Sequence, residues 1–117
     1  MKVETLVKKG FISKKEYQAL NTLTGELKKK WPKTKVRIFG SKTKGLADKE
    51  SDVNVLILLP CNTTEEIRRQ IIYKIFDLNL VLKTNISPFI LSAREWRTGV
   101  VSVLPIHTFI EREGIAL

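Results

Sequence analysis

The first apolar pattern along the chain has the period of an α-helix. Four apolar residues repeat at intervals of three or four: Tyr17, Leu20, Leu23 and Leu27. This spacing predicts an N-terminal helix over residues 12–31. Ser13 and Glu16 have the spacing of a capping box, in which a hydroxyl and a carboxylate each satisfy a free backbone N–H, and Pro32 ends the helix.

Three shorter stretches, at residues 35–39, 52–59 and 86–91, predict β-strands. The first alternates charged and apolar residues. The second is almost wholly apolar, which indicates a central strand that is covered on both faces. Pro88 lies in the third, and proline favours an edge or irregular strand because it has no backbone N–H to donate.

A second helical pattern separates the last two strands. It consists of Ile67, Ile71, Ile75 and Asn79, widened by Ile72 and Phe76. Shorter helices are predicted after Ser92 and over residues 106–113. The order helix, strand, strand, helix, strand, helix, helix predicts an α/β (α+β) fold, a small mixed β-sheet with helices packed on one face. A length of 117 residues fits one domain, with a core over residues 35–117.

The excess of positive over negative charge lies in the N-terminal part of the chain. The net charge is +9; residues 1–45 hold 13 Lys/Arg and 3 Glu, and residues 46–117 hold 8 Lys/Arg and 9 Asp/Glu. Such a surface attracts RNA and other polyanions through counterion release. The RNA-binding hypothesis assigns the contacts with RNA to six lysines: Lys28, Lys29, Lys30, Lys33, Lys35 and Lys42. An equally good interpretation is a solvated, lysine-rich helix that keeps the protein in solution.

Single occurrences of cysteine and histidine exclude several classes of site. The sequence has one cysteine, Cys61, and one histidine, His107, so it can form neither an intrachain disulfide nor a Cys/His cluster for zinc. The longest apolar run, residues 55–59, is too short to cross a bilayer, so we expect no membrane partner. Residues 1–15 lack the apolar stretch of a signal peptide. We therefore expect a cytoplasmic location.

The candidate chemistry lies between the first two strands. A strand ends at Phe39-Gly40-Ser41, ten residues follow, and Asp52-Val53-Asn54 opens the next strand. Because glycine has no Cβ, its backbone N–H can approach a phosphate closely, and the Ser41 hydroxyl adds a donor. Side chains two apart on a strand point to the same face, so Asp52 and Asn54 are expected to project together beside the glycine turn.

The stretch VRIFGSKTKGLADKESDVNVLILL resembles the minimal nucleotidyltransferases of the DNA polymerase beta superfamily. Their pattern is an apolar residue, Gly-Ser, about ten residues, and Asp-x-Asp in a strand. The resemblance implies the nucleotidyltransferase fold, with catalytic and metal-binding roles for Asp52 and Asn54. It implies a nucleotide-binding role for four residues: Gly40, Ser41, Lys42 and Lys44. The implied cofactor is Mg²⁺ or Mn²⁺, and the implied substrate is a nucleoside triphosphate.

Two departures from the family pattern concern negative charge. Asn54 stands where the pattern has its second aspartate, and an amide offers a metal only a neutral oxygen. The third carboxylate that the superfamily commonly carries on a later strand is absent from residues 86–91. Asp52 is thus the one firmly expected metal ligand, with Asp48 and Glu50 as further carboxylates in the loop.

The resemblance also extends to the segments ISPFILSAREW and EREGIAL, which are similar to stand-alone members of the superfamily. Such members often pair with a small helical HEPN protein as toxin and antitoxin. The implied activity is transfer of a nucleoside monophosphate to a protein or RNA hydroxyl, weakened by Asn54. The alternative is a catalytically degenerate module of a toxin–antitoxin pair that binds a nucleotide or a partner.

Overall fold

A computed structural model of the protein describes residues 1–48 and 50–117, and Lys49, in the predicted loop, lies outside the described residues. The helices and strands in chain order are α1 (Val3–Lys8), α2 (Lys14–Lys30), β1 (Lys35–Phe39), β2 (Val53–Leu59), α3 (Glu65–Leu82), β3 (Ile86–Ser92), α4 (Ala93–Thr98), α5 (Pro105–Glu113) and β4 (Ile115–Ala116). Two 3₁₀ turns, Ser41–Thr43 and Val100–Val103, follow β1 and α4. Within the described residues, no helix is long and apolar enough to cross a membrane.

The four strands form one mixed sheet in the order β3-β2-β1-β4. β1 runs antiparallel to β2 and places Phe39 opposite Asn54. β2 and β3 are parallel, joined through α3, and Asn54 lies opposite Ser87. The predicted mixed sheet is confirmed. β3 is an edge strand, as its Pro88 predicts.

Both faces of β2 are buried. Val53, Val55, Ile57 and Leu59 pack on one face with α2 and α3. Leu56 and Leu58 pack on the other with Trp96, Val101 and Ile110. The α+β fold class and the central, doubly covered strand are therefore confirmed. The predicted placement of helices on one face describes α2 and α3 but is incomplete: α4 and α5 cover the second face, because β2 is apolar on both.

Side-chain caps mark the start of both long helices, and α2 begins where the sequence predicts. The capping box at Ser13 and Glu16 forms, and Thr64 caps α3 by accepting the backbone N–H of Ile67. Two short elements, α1 and β4, were not predicted, because each has too few residues to show a period. Ile72 and Phe76 were predicted to widen the buried stripe of α3, but 43% and 60% of their surfaces are exposed.

Glu111 on α5 contacts both α4 and β1 on the second face of the sheet. Its carboxylate accepts the Trp96 indole N–H at 2.6 Å and pairs with Arg37 at 3.4 Å. The His107 ring packs against the Trp96 ring, with 4.2 Å between the ring centres. The hydrogen bond from Trp96, and then the Arg37 charge, hold the pKa of Glu111 below its ordinary value of 4.5.

A lowered carboxyl pKa makes this contact pH-dependent. The charged Glu111 stabilises the fold above the unfolded-state pKa, and the stabilisation is lost as pH falls through the lower, folded-state pKa. We expect Glu111→Gln to lower the melting temperature slightly at pH 7, with the difference from wild type vanishing in acid below the folded pKa. Calorimetric melts of both proteins between pH 3 and pH 7 measure this. A difference that stays constant with pH would contradict it.

Candidate functional site

The turn after β1 brings the backbone of Gly40 against the side chain of Asn54. Gly40 has φ +91°, a conformation that residues with a Cβ rarely adopt. A Cβ built on Gly40 would lie 2.6 Å from the Asn54 amide nitrogen. Glycine is therefore required here twice, by backbone conformation and by space. Gly40 and Asn54, which the sequence relates only by the spacing of a motif, are therefore neighbours in space.

The 3₁₀ turn Ser41–Thr43 gives the loop a defined shape. Thr43 donates both its backbone N–H, at 3.1 Å, and its hydroxyl, at 2.7 Å, to the Gly40 carbonyl. Ser41 is exposed at the start of this turn. Gly45 closes the loop with φ +70°, and a Cβ there would lie 2.5 Å from the Phe11 ring. The loop therefore packs against the segment that joins α1 to α2.

Asp52 is exposed immediately before β2, two positions from Asn54. One of its carboxylate oxygens accepts a hydrogen bond from the Asn85 side-chain amide. The next residue, Val53, donates its backbone N–H to the Asn85 carbonyl at 2.9 Å. Asn85 lies in the turn before β3, and sequence reasoning did not identify it because an asparagine in a turn carries no distinctive pattern.

Asn54 and Ser87 occupy adjacent positions on β2 and β3. Side chains alternate between the two faces of a strand, so Asn54 lies on the opposite face from Val53 and Val55 and on the same face as Leu56. A hydroxyl therefore lies beside Asn54 on the third strand. Because residues 86–91 contain no Asp or Glu, β3 places no carboxylate beside Asn54.

Lys42 is buried in an ion pair. Its ammonium lies 3.0 Å from Glu16, and the two side chains are only 5% and 10% exposed. The other Glu16 oxygen accepts the Ser13 backbone N–H at 2.7 Å, as the capping box requires. The sequence predicts the cap but not the pair, because nothing in the spacing links residue 16 to residue 42. The contact joins the loop to the start of α2 and engages the charge that was expected to bind phosphate.

Lys44 lies on the outer side of the loop, against α5. Its ammonium is 2.7 Å from Glu113 and 4.5 Å from the centre of the Phe109 ring. About a third of the lysine side chain is exposed, 36%. An exposed pair of this kind contributes little to stability and can open readily. Lys44 is thus more available to an arriving anion than Lys42.

Asp48 is exposed on the loop between the glycine turn and β2. It accepts the Glu50 backbone N–H at 2.9 Å and the Ser51 hydroxyl at 3.1 Å. These two hydrogen bonds hold the pKa of the Asp48 carboxyl below its ordinary value of 3.8. Asp48 also lines an open groove of about 1100 Å³, together with Phe11, Lys14, Lys83 and Asn85. The groove therefore adjoins the Asp52 side of the loop.

The oxygen atoms of this site suit a hard cation, but they are few. Among residues 1–48 and 50–117, no three His, Cys, Asp or Glu side chains are arranged to hold a metal ion. Mg²⁺ is often held by one or two carboxylates, with the remaining positions filled by water and substrate phosphates. Asp52 supplies one carboxylate and Asn54, two positions along, one neutral amide oxygen, a donor set of the kind that holds a single Mg²⁺ together with substrate phosphates. The residues do not fit a pair of ions held by protein carboxylates.

Most of the chain matches a known family model. Residues 20–103 match the family model of the nucleotidyltransferase domain. The chain belongs to this family. The match includes β1, the glycine turn, β2, α3 and β3, and so covers the motif residues from Gly40 to Asn54 and Asn85. No curated protein and no solved structure matches the chain. Membership in a nucleotidyltransferase family supports a transferase that uses nucleoside triphosphates, and the four-stranded mixed sheet is consistent with the nucleotidyltransferase fold.

Proposed function

We propose that this nucleotidyltransferase domain binds a nucleoside triphosphate with Mg²⁺ or Mn²⁺ and transfers a nucleoside monophosphate to a protein or RNA hydroxyl. One observation carries the proposal: Gly40 is packed against residue 54 at φ +91°, with Ser41 and Asp52 exposed beside it. That arrangement places the glycine turn, a hydroxyl and a carboxylate where β1 ends and β2 begins. It is suited to a triphosphate and its cation.

The residues have separate roles in this proposal. Gly40 and Ser41 bind phosphate oxygens through backbone N–H groups and the serine hydroxyl. Lys44 exchanges Glu113 for a phosphate, whereas Lys42 supports the loop through Glu16. Asp52 holds the metal, with Asn54 as a weaker neutral ligand. The bound ion would neutralise charge on the departing pyrophosphate. The acceptor oxygen bonds to the α-phosphorus as the bond to the β-phosphate breaks, and its proton passes to water.

Removing Asp52 tests this assignment. We expect Asp52→Ala to weaken binding of Mg²⁺–ATP at least about tenfold, because the site loses its one expected charged ligand. Titration calorimetry on wild type and variant measures the two dissociation constants. Asp77→Ala, which removes an exposed carboxylate on α3, is the matched control and should bind as wild type does. Equal affinity for wild type and Asp52→Ala would refute the role of Asp52.

A second candidate function is a catalytically degenerate module that binds a nucleotide or a partner. Asn54 stands where the family pattern has an aspartate, and its neighbour on β3, Ser87, carries no charge; both observations favour the degenerate module. Both candidates predict nucleotide binding, so turnover separates them. Release of pyrophosphate from Mg²⁺–ATP that disappears in Asp52→Ala would eliminate the degenerate module.

Partner and compartment are further proposals. A helical HEPN-type partner in a cytoplasmic toxin–antitoxin pair is supported by the resemblance of residues 86–96 and 111–117 to stand-alone members. The exposed apolar side chains Tyr73, Phe76 and Leu80 on α3 are compatible with a protein partner. RNA remains an alternative partner because of the basic N-terminal part. Its affinity would fall steeply with added salt, whereas an apolar contact would persist.

A further inference from the structure

Asn79 lies one turn before the end of α3, and its side chain binds the segment that follows the helix. Its amide oxygen accepts the Ile86 backbone N–H at 2.9 Å and the Thr84 hydroxyl at 3.0 Å. Its amide nitrogen donates to the Ile86 carbonyl at 3.1 Å. One side chain thus satisfies both backbone groups of Ile86, much as a neighbouring strand would.

The backbone of the same segment is also constrained. Lys83 caps α3 in the left-handed region, at φ 56° and ψ 47°. The Thr84 backbone N–H returns to the Asn79 carbonyl at 3.1 Å. A lysine in this conformation is strained and persists only where its surroundings hold it. The hydrogen bonds from Thr84 and Ile86 to Asn79 supply that constraint.

Asn85 stands between the two residues that Asn79 holds, and it contacts both Asp52 and the next residue, Val53. Its side-chain amide donates to the Asp52 carboxylate, and its carbonyl accepts the N–H of Val53. A shift of the turn would therefore move the hydrogen-bond partner of Asp52 and that of Val53 together. The chain of contacts runs from α3 through the turn to the candidate metal ligand.

We infer that Asn79 is a positioning residue for the nucleotide site, because it fixes Asn85 and Asn85 orients the Asp52 carboxylate. This inference rests on the proposed role of Asp52. Partners that orient a ligand residue usually contribute about tenfold or more to affinity or activity. Asn79 touches neither nucleotide nor metal in this scheme, and its effect reaches them only through Asn85.

Asn79→Ala and Asn85→Ala are expected to weaken Mg²⁺–ATP binding about tenfold each in titration calorimetry. The double variant should be little weaker than either single one, because both changes break one chain of contacts. Ile75→Val, which trims a buried side chain one turn earlier on α3, is the control for general loss of stability and should bind as wild type does. Wild-type affinity in Asn79→Ala, or equal weakening in Ile75→Val, would overturn the inference.

A second measurement does not depend on nucleotide binding. The side-chain amide of Asn85 should give distinct, slowly exchanging nitrogen–proton NMR signals in the wild type, because it is bound to Asp52. Asn79→Ala should shift these signals towards those of a free asparagine, and Ile75→Val should leave them in place. If wild type bound no Mg²⁺–ATP, the proposed function would fail while these signals still decided the positioning role. Unchanged Asn85 signals in Asn79→Ala would overturn it.

Discussion

Asn54→Asp is expected to raise the rate of pyrophosphate release from Mg²⁺–ATP by roughly tenfold or more. The change adds one negative charge beside the cation, and a pair of unit charges about 4 Å apart interacts by about 4 kcal/mol at an effective dielectric constant of 20. Aspartate and asparagine have nearly the same shape, so the contact with Gly40 can be kept. A phosphate-release assay coupled to pyrophosphatase measures the rate.

Two further variants show whether the gain comes from the charge. Asn54→Ala removes the side chain without adding charge and should show no gain. Asp52→Ala combined with Asn54→Asp restores only one carboxylate and should lose most of it. A rate for Asn54→Asp that equals the wild-type rate, with the fold intact by circular dichroism, would mean that residue 54 does not approach the cation.

Lys42→Met is expected to reduce the free energy of unfolding by about 3 kcal/mol. Removing one partner of a buried ion pair leaves the other charge without compensation, which typically costs 3–5 kcal/mol. The Glu16 side chain would be left in that position, only 10% exposed. Urea denaturation of wild type and variant measures the difference.

The chain offers a matched control for this experiment in the same loop. Lys44→Met breaks the pair with Glu113, whose partners are 36% and 43% exposed, and should cost less than about 1 kcal/mol. Adding Glu16→Gln to Lys42→Met should recover part of the loss, because no buried charge then lacks a partner. Similar small losses for Lys42→Met and Lys44→Met would show that the Lys42 pair is not effectively buried.

The elements that the sequence predicts well are those with a clear period or cap. α2 follows from its apolar spacing and from Ser13 and Glu16, and β2 from its unbroken apolar run. α1 and β4 escape prediction because they are short and are held by contacts distant in sequence. The sequence also does not predict that Ile72 and Phe76 lie on the exposed face of α3. Both are apolar, and hydrophobicity alone does not show which apolar residues the core covers.

The candidate site divides in the same way. Gly40, Asp52 and Asn54 belong to a local motif, so their spacing alone singles them out, although their roles remain predictions. Glu16, Asn79 and Asn85 join the site through contacts between distant segments, and common residue types such as these give no local signal. The buried position of Lys42 follows only from the packing of the loop on α2. Its expected phosphate contact is therefore less favourable than the sequence alone indicates.

The pairing of β4 with β1 has a consequence for folding kinetics. Arg37 lies opposite Ala116, so this pair of strands joins positions that are 79 residues apart in a chain of 117. By contrast, β1 and β2 are neighbours in sequence and can pair early. Contacts between distant segments form slowly because the closure entropy must be overcome first. Docking of β4 is therefore expected to be a late event, and the outer edge of β1 stays open to other strands until it occurs.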